Sequence, residues 1–286
     1  GCTDYTANRL TASVLKAAGS GGRTNIVREL LARWRDKEEV EGKEQEQEQR
    51  AKWLRDLVNH SFVLLCASRG GHKDVVGLLL DVPGTNVNVA SPNSFATALF
   101  LAVQNAHSSV VALLLARKEI HVNRPDRYGC SPFWLACQHG HDQIVSRFLA
   151  HEEIDVNQLS LGGSTPLFVA CQQGHSECVR LLLARKEIDV NYPTIELITP
   201  LFSASSKGRS TEVVRLLIQH ADIDLNQTDG WGTTALDVAK LQNHYEIVRL
   251  LTDALSRSRL GFETASPLAG KTKGVEEERT NEAFKK

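Results

Sequence analysis

Apolar residues along this chain come in short paired clusters, separated by polar stretches punctuated with glycine. Within Thr165–Asn191, Leu167, Ala170 and Cys171 fall at i, i+3 and i+4, which is one face of a helix. Thr165 just before them suits an N-cap, Pro166 suits the first helical position, and Gly174 suits the left-handed residue that ends a helix. The pattern predicts a second short helix with Val179, Leu182 and Leu183 on its apolar face. Ile188-Asp189-Val190-Asn191 follows, too short and polar for another helix, and a turn region leads to the next Thr-Pro. The same arrangement occupies Ser131–Asn157 and Thr97–Asn123. The step from Thr97 to Ser131 to Thr165 to Thr199 is 34 residues each time. Two short helices and a loop cannot bury both apolar faces alone, but stacked copies can bury them against one another. The pattern therefore predicts an all-α solenoid of paired antiparallel helices, joined by β-hairpin-like loops that we call fingers.

About seven units fit this period, over roughly 13–34, 62–96, 97–130, 131–164, 165–198, 199–233 and 234–256. The first is degenerate, with Leu15, Ala18, Gly22, Ile26, Val27, Leu30 and Leu31 in the expected places. The last carries Asp237 and Lys240 where earlier units have apolar or small groups, as expected of a terminal unit with one wet side. Residues 35–61 break the period and are rich in Glu, Gln, Lys and Arg. They predict a helical insertion, divided at Gly42, whose returning helix starts near Lys43 and carries Trp53, Leu54, Leu57 and Val58 as an apolar stripe. The composition leaves a disordered charged loop open as the alternative. After Ser256 the periodicity stops, and 257–286 are expected to form a disordered tail or a linker.

One copy carries Asp126, Gly129, Ser131, Pro132, Ala136, Gly140, His141, Ile144, Val145, Leu149, Asp155, Val156 and Asn157 in register. That order resembles the consensus of the ankyrin repeat. The resemblance covers roughly the first 250 residues and recurs in several copies. It departs at the histidine of the Thr-Pro-Leu-His segment, replaced here by Phe100, Trp134, Phe168 and Phe202. The sixth finger also departs, with Thr194 and Leu197 where Asp and Gly are expected. A leucine at a position needing positive φ is costly, so this finger is expected to take another shape.

The resemblance implies a module that binds another protein through a concave face lined by finger tips and the exposed sides of the first helices. Positions that vary between units while the frame stays fixed are the candidate contacts. On the fingers they are Asn93, Ser94 and Ala96; Arg127, Tyr128 and Cys130; Leu161, Gly162 and Ser164; Ile195, Glu196 and Ile198; Gly230, Trp231 and Thr233. On the first helices they are Gln104, Asn105, Gln138, His139, Gln172, Gln173, Ser206 and Lys207. Tyr128 and Trp231 are the expected anchors, since aromatics dominate interface energies. The resemblance also gives Asn88, Asn123, Asn157, Asn191 and Asn226 a bracing role between loops. It marks Asn157 and Asn191 as candidates for asparaginyl hydroxylation.

Charge and composition remove other classes. The net charge is −1, so no bulk field favours nucleic acid or anionic membrane. No apolar run approaches the ~20 residues that span a bilayer, and the first residues lack an apolar signal core. Cys137 and Cys171 repeat one register position, as small core residues rather than a disulfide framework. The Cys137/His141 and Cys171/His175 pairs also repeat one position, while structural zinc needs four convergent ligands. Gly19–Thr24 lacks the glycine, the lysine and the preceding strand of a phosphate loop. No nucleophile–base set converges, so no enzyme, cofactor or metal is expected. A monomer in the cell interior, in the cytoplasm, is the expected setting. The chain contains no Met. That motivates the alternative that it is the recruiting region of a larger enzyme or effector.

Overall fold

A computed structural model of the chain describes residues 12–35, 44–60 and 62–264. Among these residues the structure is helical, with isolated antiparallel bridges at Ala90–Thr97 and Thr228–Thr234. The helices are α1 (12–20), α2 (Thr24–Arg35), α3 (Glu44–His60), α4 (Val63–Arg69), α5 (Lys73–Leu80), α6 (Ala98–Gln104), α7 (Ser108–Leu115) and α8 (Pro132–His139). They continue as α9 (Asp142–Leu149), α10 (Pro166–Gln173), α11 (Ser176–Leu183), α12 (Pro200–Lys207), α13 (Thr211–Ile218), α14 (Ala235–Leu241) and α15 (Tyr245–Thr264). First helices stack in the row α4, α6, α8, α10, α12, α14, and second helices in the row α5, α7, α9, α11, α13, α15. This is the expected solenoid. The inserted α3 packs against α4, and α2 packs against α5.

Local chemistry fixes where each first helix begins. The side chains of Thr97, Ser131, Thr165 and Thr199 accept from the backbone N–H three residues on, at 3.1–3.2 Å, satisfying a donor the helix leaves unpaired. Pro132, Pro166 and Pro200 stand at the helix start. In the last unit Thr234 and Asp237 form a capping box, and these hydrogen bonds hold the Asp237 carboxyl below its ordinary pKa. Asp237, first read as part of a wet outer side, thus also starts its helix.

The core runs through the stack. Phe133, Phe148, Leu167, Leu182, Leu201 and Leu217 are fully buried, and the Phe133 and Phe148 rings lie 5.7 Å apart at 60°. Leu57 and Val58 of α3 join this core, while Trp53 and Leu54 pack on it half-buried. The segment between α2 and α3, 36–43, lies outside the described residues, as does 265–286. The expected end of order at 256 needs correction: α15 runs on to Thr264. Residues 257–264 lose the apolar periodicity but hold no proline, so a helix already anchored by Ile247 and Leu251 continues.

Neighbouring units interlock through one glycine and one histidine. Gly22, Gly71, Gly140 and Gly208 end first helices with positive φ. The histidine that opens the next unit's second helix lies directly against each: a Cβ on Gly71 would stand 2.5 Å from His107 Nδ1, and one on Gly140 2.5 Å from His175 Nδ1. Glycine is therefore required for conformation and for space. The histidines reach across the junction, His72 Nε2 to Ser20 O at 2.9 Å, His107 to Arg69 O at 2.9 Å, His175 to Gln138 O at 3.1 Å and His244 to Ser206 O at 3.2 Å. Two junctions break the rule: Gly174 is faced by Arg209 and Ser210 rather than by a histidine, and at the other the glycine itself is missing. Ala106 occupies the glycine position at φ 58°, and the facing His141 makes no such bond among the described residues. The His141 ring instead stacks on His139 at 5.6 Å, and burial together with His139 and His175 keeps its pKa below the ordinary value.

Ala106→Gly is expected to raise stability by about 1 kcal/mol, because it removes a left-handed alanine and frees the Gln104 carbonyl for His141; a urea midpoint at or below wild type would contradict this. Leu182→Ala is expected to cost ~2–5 kcal/mol and Gln172→Ala ~0.5 kcal/mol or less, and comparable urea midpoints for the two would contradict the burial assigned to them.

Candidate protein-binding face

The loops that carry the fingers are tied to one another by asparagine. Asn157 Nδ2 donates to Glu187 O at 2.6 Å, and its Oδ1 accepts from Asp189 N at 3.1 Å, so one side chain grips two backbone groups of the next unit. Asn88 does the same with Glu119 O and His121 N, Asn123 with Glu153 O and Asp155 N, and Asn191 with Asp222 O and Asp224 N. The bracing role implied by the sequence is present at these four junctions. Asn59, near the end of α3, also belongs to the ladder: Nδ2 donates to Gly84 O at 3.3 Å and Oδ1 accepts from Asn86 N at 2.8 Å. It stands outside the repeat period, so no spacing argument could have found it.

Each finger is a tight hairpin. Asp126 Oδ1 accepts from Tyr128 N and Cys130 N, and Asp229 Oδ1 accepts from Trp231 N and Thr233 N, at 2.9–3.0 Å. Gly129, Gly163 and Gly232 supply the left-handed residue. The sixth finger does not take another shape, contrary to the sequence reading. Thr194 N bonds Ile198 O and Leu197 N bonds Thr194 O, both at 2.9 Å, as in its neighbours, and Leu197 accepts φ 61°. The hairpin's own backbone bonds hold the turn over the preference of the side chain. Phe95 holds the same position in the second unit at φ 57°. Adjacent fingers also pair through their backbones, Arg127 N to Ser94 O at 2.9 Å and Leu161 N to Tyr128 O at 3.0 Å.

This frame sets a row of large apolar side chains at the finger tips: Phe95, Tyr128, Leu161, Ile195, Leu197 and Trp231 are 54%, 58%, 72%, 74%, 50% and 82% exposed. Phe95 was missed from sequence, because the register assigns its position to a turn residue. Asn93, Gln104, Asn105, Arg127, His139, Glu196 and Lys207 are exposed, while Ser94, Gln138, Gln172 and Gln173 are half-buried. The Arg127 guanidinium lies 4.8 Å over the Tyr128 ring, so this pair forms one unit. Two expected contacts are turned inward. Ala96 is buried, and the Ser164 carbonyl and hydroxyl both accept from Trp134 Nε1 at 3.2 Å. A groove of about 460 Å³ lies between the fourth and fifth units. It brings together Gln138, Gln172, Ile195 and Glu196, whereas Asn93 and Trp231 stand apart from it on other fingers.

Reactive chemistry is sparse on this frame. Among the described residues no cluster of three or more His, Cys, Asp or Glu could hold a metal ion. Cys137, Cys171 and Cys178 are buried thiols whose pKa values burial raises, and Cys178 donates to Asp142 Oδ1 at 3.0 Å. No described helix is long and apolar enough to cross a membrane.

Comparison with known proteins agrees with this geometry. The family model for ankyrin repeats (3 copies) matches residues 14–126, 118–194 and 194–258, and the chain belongs to the ankyrin repeat family. A crystal structure of the ankyrin repeat protein EF0377 is 25% identical with a TM-score of 0.61, over 66% of this chain and 96% of that one. An ankyrin repeat domain from Acinetobacter baumannii AYE is 26% identical with a TM-score of 0.61, over 68% and 97%. No curated protein sequence matches the chain. Ankyrin repeats are in general protein–protein interaction modules and typically not catalytic.

Asn157→Ala is expected to lower stability by roughly 1–3 kcal/mol, since it strips partners from two backbone groups at one junction; equilibrium urea unfolding that matches Gln172→Ala would show that the ladder contributes nothing.

Proposed function

We propose that this chain binds another protein through the face built by its finger tips and first helices, acting as a single copy. The observation that carries the reading is the row of exposed apolar tips. Six of the twelve large apolar side chains exposed among the described residues project from the finger tips. Two of them, Phe95 and Leu197, also occupy left-handed backbone that disfavours any side chain by about 1 kcal/mol. Neither the exposure nor the strain benefits the fold, and both are features of surfaces that meet a partner. Tyr128 and Trp231 are the aromatic anchors, with Arg127 steadied over the Tyr128 ring.

Affinity purification with the intact chain, followed by mass spectrometry, is expected to recover a specific protein that the double variant Tyr128→Ala plus Trp231→Ala loses at least tenfold. Equal recovery by the double variant, with its thermal unfolding unchanged, would remove the anchors from the interface.

A further inference from the structure

From the groove between the fourth and fifth units we infer the chemistry of the segment that this face takes: an extended stretch of a partner protein, free of acidic residues, that places one apolar side chain in the groove and a lysine or arginine beside it. This rests on the interaction proposed above and goes further by naming what is recognised.

The groove owes its existence to a missing side chain. Tyr128, Glu196 and Trp231 each stand three residues before the Ser or Thr that caps the next first helix, and in the fourth unit that position is Gly162. With no side chain there, the flank of Ile195 and the edges of Trp134 and Phe168 face open space. Trp134 and Phe168 are almost buried, so what remains of their surface forms an apolar floor. Gln138 and Gln172 line the same groove. Their amides carry one donor group and one acceptor each, which matches the backbone of an extended polypeptide.

Charge fixes the rest. Glu196 is the one formally charged residue on the groove lining. It is exposed and makes no ion pair among the described residues. A carboxylate beside an apolar opening favours an apolar side chain with a cation close by, and disfavours an acidic segment. Arg127 does not neutralise it, being placed over the Tyr128 ring two fingers away.

The groove can be closed without disturbing the fold. Gly162 lies outside the positive-φ glycines, and a Cβ built on it meets only Ser160 Oγ, at 3.7 Å. A phage-displayed library of random 12-residue peptides, selected on the intact protein, supplies the probe, and fluorescein-labelled selected peptides are then titrated by anisotropy. Enriched peptides are expected to carry Leu, Ile, Phe or Met within three residues of Lys or Arg. Gly162→Phe is expected to weaken them at least tenfold with an unchanged melting temperature. Glu196→Lys is expected to weaken them at least fivefold and to regain affinity for the peptide whose cation is replaced by Glu. Enrichment of acidic or wholly polar peptides, no enrichment, or Glu196→Lys affinity equal to wild type would each overturn the proposal. If the Tyr128/Trp231 double variant loses its partner while Gly162→Phe and Glu196→Lys hold it as tightly as wild type, the groove assignment falls and the interaction itself stands.

Discussion

No helix pair in this chain can hide its own apolar faces, and the distance at which neighbouring pairs meet governs everything else. That distance is set where a first helix ends. The glycine there lets the next unit's histidine ring lie against the backbone and bond a carbonyl across the junction. On the finger side, an asparagine closes the same junction with two backbone bonds. Between these clamps the apolar faces of both helix rows come into contact and exclude water, which supplies the dominant stabilisation. The ion pairs across second helices, Arg180–Glu212 and Arg215–Glu246, lie on exposed side chains and add little by comparison.

A frame clamped at both edges can hold local conformations that an isolated loop would abandon. The sixth finger shows this most plainly. Its own backbone bonds, Thr194 N to Ile198 O and Leu197 N to Thr194 O, hold Leu197 in a left-handed turn that its side chain resists. The apolar tips face water for the same reason, because fingers fixed by backbone bonds cannot fold their side chains onto the core. Rigidity in the repeats and display at the tips are thus one property, and a surface held in place loses less entropy when it meets a partner.

The junction at Ala106 illustrates how local such effects remain. One methyl group in place of a glycine hydrogen accompanies the loss of one cross-junction histidine bond, and the ring turns to its neighbour His139 instead. The stack tolerates this because each unit contacts only the units beside it, so a defect does not propagate.

The amino-acid sequence by itself determined the unit. A 34-residue step, a hydroxyl before the first helix of five units and an apolar stripe on the short helices are local and periodic, so the solenoid, these caps and the asparagine ladder at four junctions could be read from the sequence. What only the tertiary structure decided lies between units or outside the period. Asn59 reaches the ladder from an inserted helix, and Ala96 and Ser164 turn inward where their positions suggested contact. The groove beside Gly162 exists because side chains from two units leave a space there, and no single copy of the repeat records it. Periodicity reports what each residue does within its own unit, whereas the shape of a surface depends on side chains that only stacking brings together.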